Sequence, residues 1–308
     1  MDSADIGKFT LVIIGCLGNL VFCFILFKKP LKSKLTCRLL QLQGILDYLV
    51  CFVSILTLIL PLNVDESNFF ICHVWTSQFI YWWILVTSIH NLVSIAIDRC
   101  YAIFQPASYK SQVHPLMVYC FLYTLFSGFI ITVPISMETR ILSNHSCMLK
   151  YAFDGETMNM FFKAYGIIWF VMSYAGPTLF FIIIYWKILK AIRTRVSVSN
   201  SGSTSSQSVK KLTLTTLIIT ILFIVFLCYD PFYYLLARLE IVVYIYNSPI
   251  QKVGIFMSSL NSTVNPFIFF LMLREFRVRL FNVLVKPILK LFHIVVNIYP
   301  HNSTQTET

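Results

Sequence analysis

Charge is what this chain has least of. Charged residues make up 12% of it, about half of the ~25% usual in soluble domains. Hydrophobic residues make up 57%, so there is too little polar surface to clothe a water-soluble fold. Alternation of apolar and polar residues, the mark of a barrel strand, is also missing. Backbone in hydrocarbon must be hydrogen-bonded within its own segment, which leaves helices. The nine cysteines include no metal-type CxxC and no Cys/His cluster, so a zinc site is not expected. A cleavable leader is not expected either. Residues 1–8 are short and polar, and the first apolar run is long enough to act as its own signal.

What the chain does have is seven apolar runs, near 9–27, 39–60, 71–99, 115–136, 164–189, 210–237 and 250–273. Each approaches or exceeds the ~20 residues that cross a bilayer. The expected fold is therefore all-α: one seven-transmembrane helix bundle occupying the whole chain, 1–308. At least five runs carry a residue that lipid should reject: Asn19, Asp47, Asp98-Arg99, Pro177, Asp230-Pro231 and Asn265-Pro266. A buried ionisable group in such a run marks a functional site by default. Each also has a plainer explanation, the asparagines as interhelical glue and the prolines as kinks.

The basic residues fall on one side. Connections after the first, third and fifth runs and the segment after the seventh hold 18 of the 24 Lys and Arg. That side is expected to be cytoplasmic, with the N-terminus outside. The net charge of +11 then reflects topology and attraction to anionic lipid heads, and no nucleic-acid partner is expected.

Only Cys72 and Cys147 fall on the outer side, where disulfides persist. A bridge between them is expected and would pin the loop between the fourth and fifth runs; two unpaired thiols are the alternative. Asn144-His145-Ser146 is an outer sequon and a plausible glycan acceptor. The connection 190–211, rich in serine, reads as a flexible cytoplasmic loop. Residues 274–286 alternate basic and apolar side chains at helical spacing, which suits a short interfacial helix.

Together and in this order, the intramembrane polar residues resemble those of the rhodopsin-like G-protein-coupled receptors. The matching positions are Gly18-Asn19, Leu46-Asp47, Asp98-Arg99-Cys100 with Pro106, Pro177 with Tyr185, Cys228-Tyr229-Asp230-Pro231, and Asn261 with Asn265-Pro266-Phe267-Ile268-Phe269. The departures describe a divergent member. Cys100 and Phe269 each replace a usual Tyr, Tyr229 replaces a Trp, and Val225 stands where a Phe is usual. Lys211 stands where many members have an acid. Cys72 lies two residues further from Arg99 than is usual. Trp75-Thr76-Ser77-Gln78 and the Phe269 variant are similar to flatworm-restricted orphan receptors.

The resemblance implies an extracellular ligand and a heterotrimeric G protein as partners, with the lipid bilayer around the bundle. It gives Asp98, Arg99 and Tyr185 to G-protein coupling. Tyr229, Pro231, Asn265, Pro266 and Phe269 would form the activation switch. Asp47, Ser88, Asn261 and Asn265 would form an oxygen cage for an allosteric sodium ion, the one inorganic group implied; a protonated Asp47 bonded to the asparagines is the alternative. Asp230 with Tyr229, Phe79, Tyr81, Trp82 and Tyr233 would line the ligand pocket. Aromatic walls with one acid suit a peptide with a basic or amidated end, unless the rings are bundle packing and headgroup belt. In amine receptors an acid sits on helix three, where this chain has Phe79 counting from Cys72, or Tyr81 counting from Arg99. A transporter or channel is the alternative class, but it would want repeated halves with broken helices. An intramembrane enzyme would have to be built on His90 with Asn91, and none is expected.

Overall fold

The computed structural model of the chain describes residues 3–31, 33–60, 69–141, 147–149, 156–198, 204–243 and 248–287. Seven helices in it are long and apolar enough to cross a membrane: α1 (Asp5–Lys28), α2 (Lys34–Ile59), α3 (Phe79–Phe104), α4 (Ser111–Glu138), α5 (Glu156–Thr194), α6 (Lys210–Arg238) and α7 (Pro249–Met272). A short α8 (Arg274–Leu280) follows. Asn144, expected as a glycan acceptor, lies outside the described residues, as do residues 199–203; the rest of the connection 190–211, expected as a flexible loop, is helical, up to Val198 on one side and from Thr204 on the other. One feature departs from an all-helical chain. Strands β1 (Thr139–Ile141) and β2 (Cys147–Leu149) pair antiparallel and cap the Cys72 end of the bundle.

Helix α3 is the axis. In its most apolar window 78% of residues are buried, against 22–50% in the other six. It packs on α2, α4, α5 and α6, while α7 closes the ring against α1, α2 and α6. Close approach needs small residues. A Cβ on Gly128 of α4 would sit 3.0 Å from the Cα of Thr87, which is backbone and cannot rotate away.

The prolines of the fifth, sixth and seventh runs each leave a local mark on their helix. Pro177 follows a π turn at Val171–Ala175, where the Gly176 N–H reaches back to the Val171 carbonyl. Pro231 cannot donate to the Leu227 carbonyl, and α6 bends at Leu227 and Cys228. Pro266 leaves the Ser262 carbonyl without its helical donor, and Asn19 Nδ2 supplies one from α1 at 3.1 Å. The asparagine of the first run thus repairs a proline gap in the seventh.

The extra length between Cys72 and Arg99 is taken up outside α3. Cys72 lies in a separate π turn, Ile71–Thr76, and Gln78 turns the chain in the left-handed region at φ 58° before α3 starts at Phe79. A non-glycine residue there costs about 1–2 kcal/mol. Ser77 holds the corner, its hydroxyl donating to the His73 carbonyl at 2.6 Å and accepting from the Phe79 N–H at 3.1 Å. The outer end of the 71–99 run is therefore not continuous with α3, and register inside the bundle is counted from Arg99.

At the Arg99 end, α8 docks through rings. Phe276 is fully buried and stacks on Phe22 of α1 at 5.4 Å, and Phe22 stacks on Phe269 of α7 at 4.9 Å. Arg279 donates to the Lys29 carbonyl at 2.6 Å.

The tight α3–α4 crossing gives a direct test. Gly128→Ala should destabilise the purified protein by about 1–3 kcal/mol, read as a lower melting temperature. Gly7→Ala, where nothing lies within 4 Å of the added Cβ, should leave it unchanged.

Candidate functional site

Three polar centres lie along the core. In the middle, the Asp47 carboxylate is fully buried. Its Oδ1 accepts from the Ser88 hydroxyl at 2.9 Å, and its Oδ2 accepts from Asn265 Nδ2 at 2.7 Å and from Gln43 Nε2 at 3.0 Å. Three donors from α2, α3 and α7 therefore meet on one carboxylate. The second N–H of Gln43 reaches Ser88 Oγ at 2.6 Å. Asn261 and Asn265 keep buried Oδ1 atoms with no donor among the described residues, and so does Asn19. Asp47, Ser88 and Asn265 come together as the family resemblance implies; Asn261 is buried on the same helix as Asn265 and does not bond the carboxylate. Gln43, one helical turn before Asp47 and so on the same face, was not singled out.

At the Arg99 end, Asp98 and Arg99 are both buried. Arg99 Nε donates to Asp98 Oδ2 at 3.0 Å, and its Nη2 touches the same oxygen and the Thr36 hydroxyl. Thr36 also donates to Asp98 Oδ2 at 2.8 Å. Tyr109, in the first turn of the helix Pro106–Thr132 that continues as α4, donates to Asp98 Oδ1 and accepts from Ser33 at 2.9 Å. Burial and the Asp98 carboxylate push the Tyr109 phenol above its ordinary range. The guanidinium is thus neutralised by its neighbour and held against α2. Tyr185 of α5 is buried against Thr216 and Thr220 of α6. Lys211 is exposed. Thr36 and Tyr109 carried no sequence signal beyond their nearness to the basic cluster and to Pro106.

At the Cys72 end, Asp230 is buried and its Oδ1 has no hydrogen-bond partner among the described residues. Gly254 of α7 leaves it room, since a Cβ there would meet Asp230 Oδ1 at 2.8 Å and the Tyr229 ring at 3.3 Å. Tyr81 OH lies 3.4 Å from Ser259 Oγ, which lies 3.2 Å from Ser54 Oγ. The buried Ser258 hydroxyl has no hydrogen-bond partner among the described residues. Trp82 packs edge-on to Trp169 of α5 at 5.8 Å.

Above this floor a buried ion pair ties three helices. Arg238 of α6 lies 2.6 Å from Glu138 of α4, with its guanidinium over the rings of Phe162 and Tyr234 at 5.3 and 5.0 Å. Tyr234 OH also donates to Glu138. Glu138 lies two residues beyond the fourth apolar run, and neither it nor Arg238 stood out in the sequence.

Several positions differ from the sequence reading. Phe79 does not face the interior; it stacks on Trp83 at 5.9 Å and meets Phe129 of α4 at 6.1 Å. Tyr81 takes the inward position, because the break at Gln78 sets the register. Tyr229 stacks on Tyr233 at 6.1 Å and Tyr233 OH donates to the Val243 carbonyl at 3.1 Å, so these rings line the edge of α6 next to α7. Phe232 points out of the bundle, half exposed. Val225 is 51% exposed, and it is Phe223, at 0%, that fills the α5–α6 interior against Phe181 at 5.5 Å. His90 bonds Tyr123 OH at 2.7 Å and Asn91 bonds Gln43, so both are tied into the bundle. Cys72 is disulfide-bonded and buried. The free cysteines are Cys16, Cys23, Cys37, Cys51, Cys100, Cys120 and Cys228. Cys147 opens β2, which packs on the turn bearing Cys72.

The Glu138–Arg238 pair can be tested without a ligand. Removing one partner strands a buried charge and should cost about 3–5 kcal/mol, whereas an apolar pair of similar volume should restore most of it. Glu138→Gln should therefore lower the melting temperature sharply, and Glu138→Leu combined with Arg238→Met should recover it.

Residues 18–269 match the model of the family described as 7 transmembrane receptor (rhodopsin family). Melanin-concentrating hormone receptor 1 of Mus musculus is 29% identical over 208 residues, 63% of this chain and 55% of that protein. The receptor of the same name from Macaca mulatta is 25% identical over 306 residues, 88% of this chain and 78% of that protein. The Histamine H2 receptor of Rattus norvegicus is 23% identical over 284 residues, 87% of this chain and 75% of that protein. The chain thus spans little more than half the length of the mouse relative in the matched region.

Proposed function

The chain belongs to the rhodopsin family of seven-transmembrane receptors, and from that premise we propose that it binds an extracellular ligand bearing a basic group, most fittingly a peptide, and activates a heterotrimeric G protein. It is a multi-pass plasma-membrane receptor and not an enzyme. Family membership also decides between the receptor and the transporter reading. In the proposed orientation the N-terminus and the Cys72 end face outward and the Arg99 end faces the cytoplasm, in keeping with the distribution of Lys and Arg. A Cys72–Cys147 bridge would then tie the β hairpin over the mouth of the bundle.

The observation that carries the ligand class is the unpaired oxygen of Asp230. A buried carboxylate without a protein cation is costly, and a basic group arriving from outside removes that cost. Tyr81, Ser258 and Ser259 offer hydroxyls at the same depth, and Tyr229 and Trp82 offer aromatic surface. No acid stands at the inward position of α3, which is Tyr81, so Asp230 on α6 is the charge partner. The relatives' names point both to a hormone and to histamine. The aromatic side chains Tyr229 and Tyr81 beside the acid favour a peptide over a small amine.

Signalling would run from Asp230 through the Pro231 bend. An outward swing of the Lys210 end of α6 would uncover Tyr185 and free Arg99 from Asp98 and Thr36. Phe269, clamped between Phe22 and Phe276, would anchor α7 while Asn265 and Pro266 adjust.

Two measurements test this reading. Screening a peptide library on cells expressing the receptor should yield agonists with a basic or amidated end. Asp230→Asn should lower their potency roughly 30-fold or more, the loss expected when one partner of a buried charge pair is truncated, without loss of surface expression. Equal potency on both proteins would exclude Asp230 as the partner. Arg99→Ala should reach the cell surface and bind agonist, yet fail to stimulate guanine-nucleotide exchange. Normal exchange would remove Arg99 from the coupling site.

A further inference from the structure

We propose that the side-chain amide of Gln43 permanently takes the place between Asp47 and Ser88 that the family resemblance gives to a sodium ion, so that the resting state of this receptor needs no cation. The observation is the position of one nitrogen. Gln43 Nε2 lies 3.0 Å from Asp47 Oδ2 and 2.6 Å from Ser88 Oγ. A cation shared by those two oxygens would have to sit where the amide N–H groups point.

The orientation of that amide is fixed rather than free to flip. Gln43 Oε1 accepts from Asn91 Nδ2 at 2.9 Å, and the other N–H of the Asn91 amide donates to the Leu39 carbonyl at 3.0 Å. A backbone carbonyl can only accept, so its Asn91 partner must present N–H groups. Asn91 therefore presents a donor to Gln43, which must answer with oxygen and turn its own NH₂ toward Asp47. From Asn91 inward, each donor points toward the carboxylate: Asn91 to Gln43, and Gln43 to Asp47. Reversing Gln43 would set oxygen against the carboxylate and nitrogen against the Asn91 NH₂, a loss at both ends.

The oxygens that remain do not rebuild the cage. Asn261 Oδ1, Asn265 Oδ1 and Ser262 Oγ are buried without protein donors, but all three are neutral. A monovalent cation taken out of water needs a formal negative charge beside it, and Asp47 already receives donors from Ser88, Asn265 and Gln43. Those donors give both carboxylate oxygens hydrogen-bond partners without a counter-ion. The difference from a bound ion is covalent attachment: the amide cannot dissociate, and it joins α2 to α3 on one side and to the carboxylate on the other.

The test uses the full-length receptor in nanodiscs and needs no ligand. Melting is followed in sodium chloride and in choline chloride at equal ionic strength. The wild type should melt at the same temperature in both. Gln43→Leu, which keeps the volume and removes the amide, should gain a sodium-specific rise of roughly 2–4 °C once the ion is at about ten times its dissociation constant. Combining it with Asp47→Asn should abolish that gain. If the leucine variant does not fold, Gln43→Met offers an unbranched filler for the same comparison. A sodium-specific rise in the wild type that Asp47→Asn removes would overturn the proposal. So would folded Gln43 variants as indifferent to sodium as the wild type.

Discussion

A carboxylate inside hydrocarbon has to find its donors within the protein, and Asp47 finds them on three helices. That requirement organises much of the bundle. Ser88 brings in α3, Asn265 brings in α7, and Gln43 sets one turn of α2 against both. A few ångströms away the same rule acts on backbone: Pro266 frees the Ser262 carbonyl, and Asn19 crosses from α1 to satisfy it. Four helices are thereby fixed in rotation as well as distance. Apolar packing alone would leave their relative rotation weakly specified, since lipid tails are as good a neighbour for leucine as another helix is.

The two ends of the molecule solve the charge problem differently. At the Arg99 end the ions are adjacent in sequence and supported by hydroxyls from Thr36 and Tyr109, so the pair can open without stranding its carboxylate. Hydroxyls can turn to water when the guanidinium leaves. At the Cys72 end Glu138 and Arg238 come from different helices and are boxed by Phe162 and Tyr234. That pair holds α4 and α6 together over Asp230 and has no comparable exit. The first arrangement leaves the carboxylate bonded if the guanidinium moves; the second strands a buried charge if either partner does.

The fold was legible because lipid leaves few choices. Seven apolar runs in a chain with scarce charge admit little besides a helical bundle, and the order of Asn19, Asp47, Arg99, Pro231 and Asn265 identifies its kind. Asp47 and Arg99 could be singled out because an ionisable residue in an apolar run stands out against its neighbours. Their partners could not. Gln43, Thr36 and Tyr109 are unremarkable residue types, and they matter only through the helix crossing that places them. Phe79 and Val225 show the converse. Both were read by counting from a landmark, and both were displaced by a local break in helical geometry, at Gln78 for one and at the Leu227–Cys228 bend for the other. Counting along a helix holds only as far as the helix is continuous.

The left-handed corner at Gln78 separates a disulfide-bonded turn from the start of the central helix. Residues can be added or lost before it without rotating anything after it, because a corner, unlike a helical turn, does not transmit phase. The lip of the receptor is therefore free to drift in length over evolutionary time while the hydrogen-bonded interior stays in step. Lineages that keep this corner could acquire new ligands at the rim and inherit the same transmission machinery unchanged.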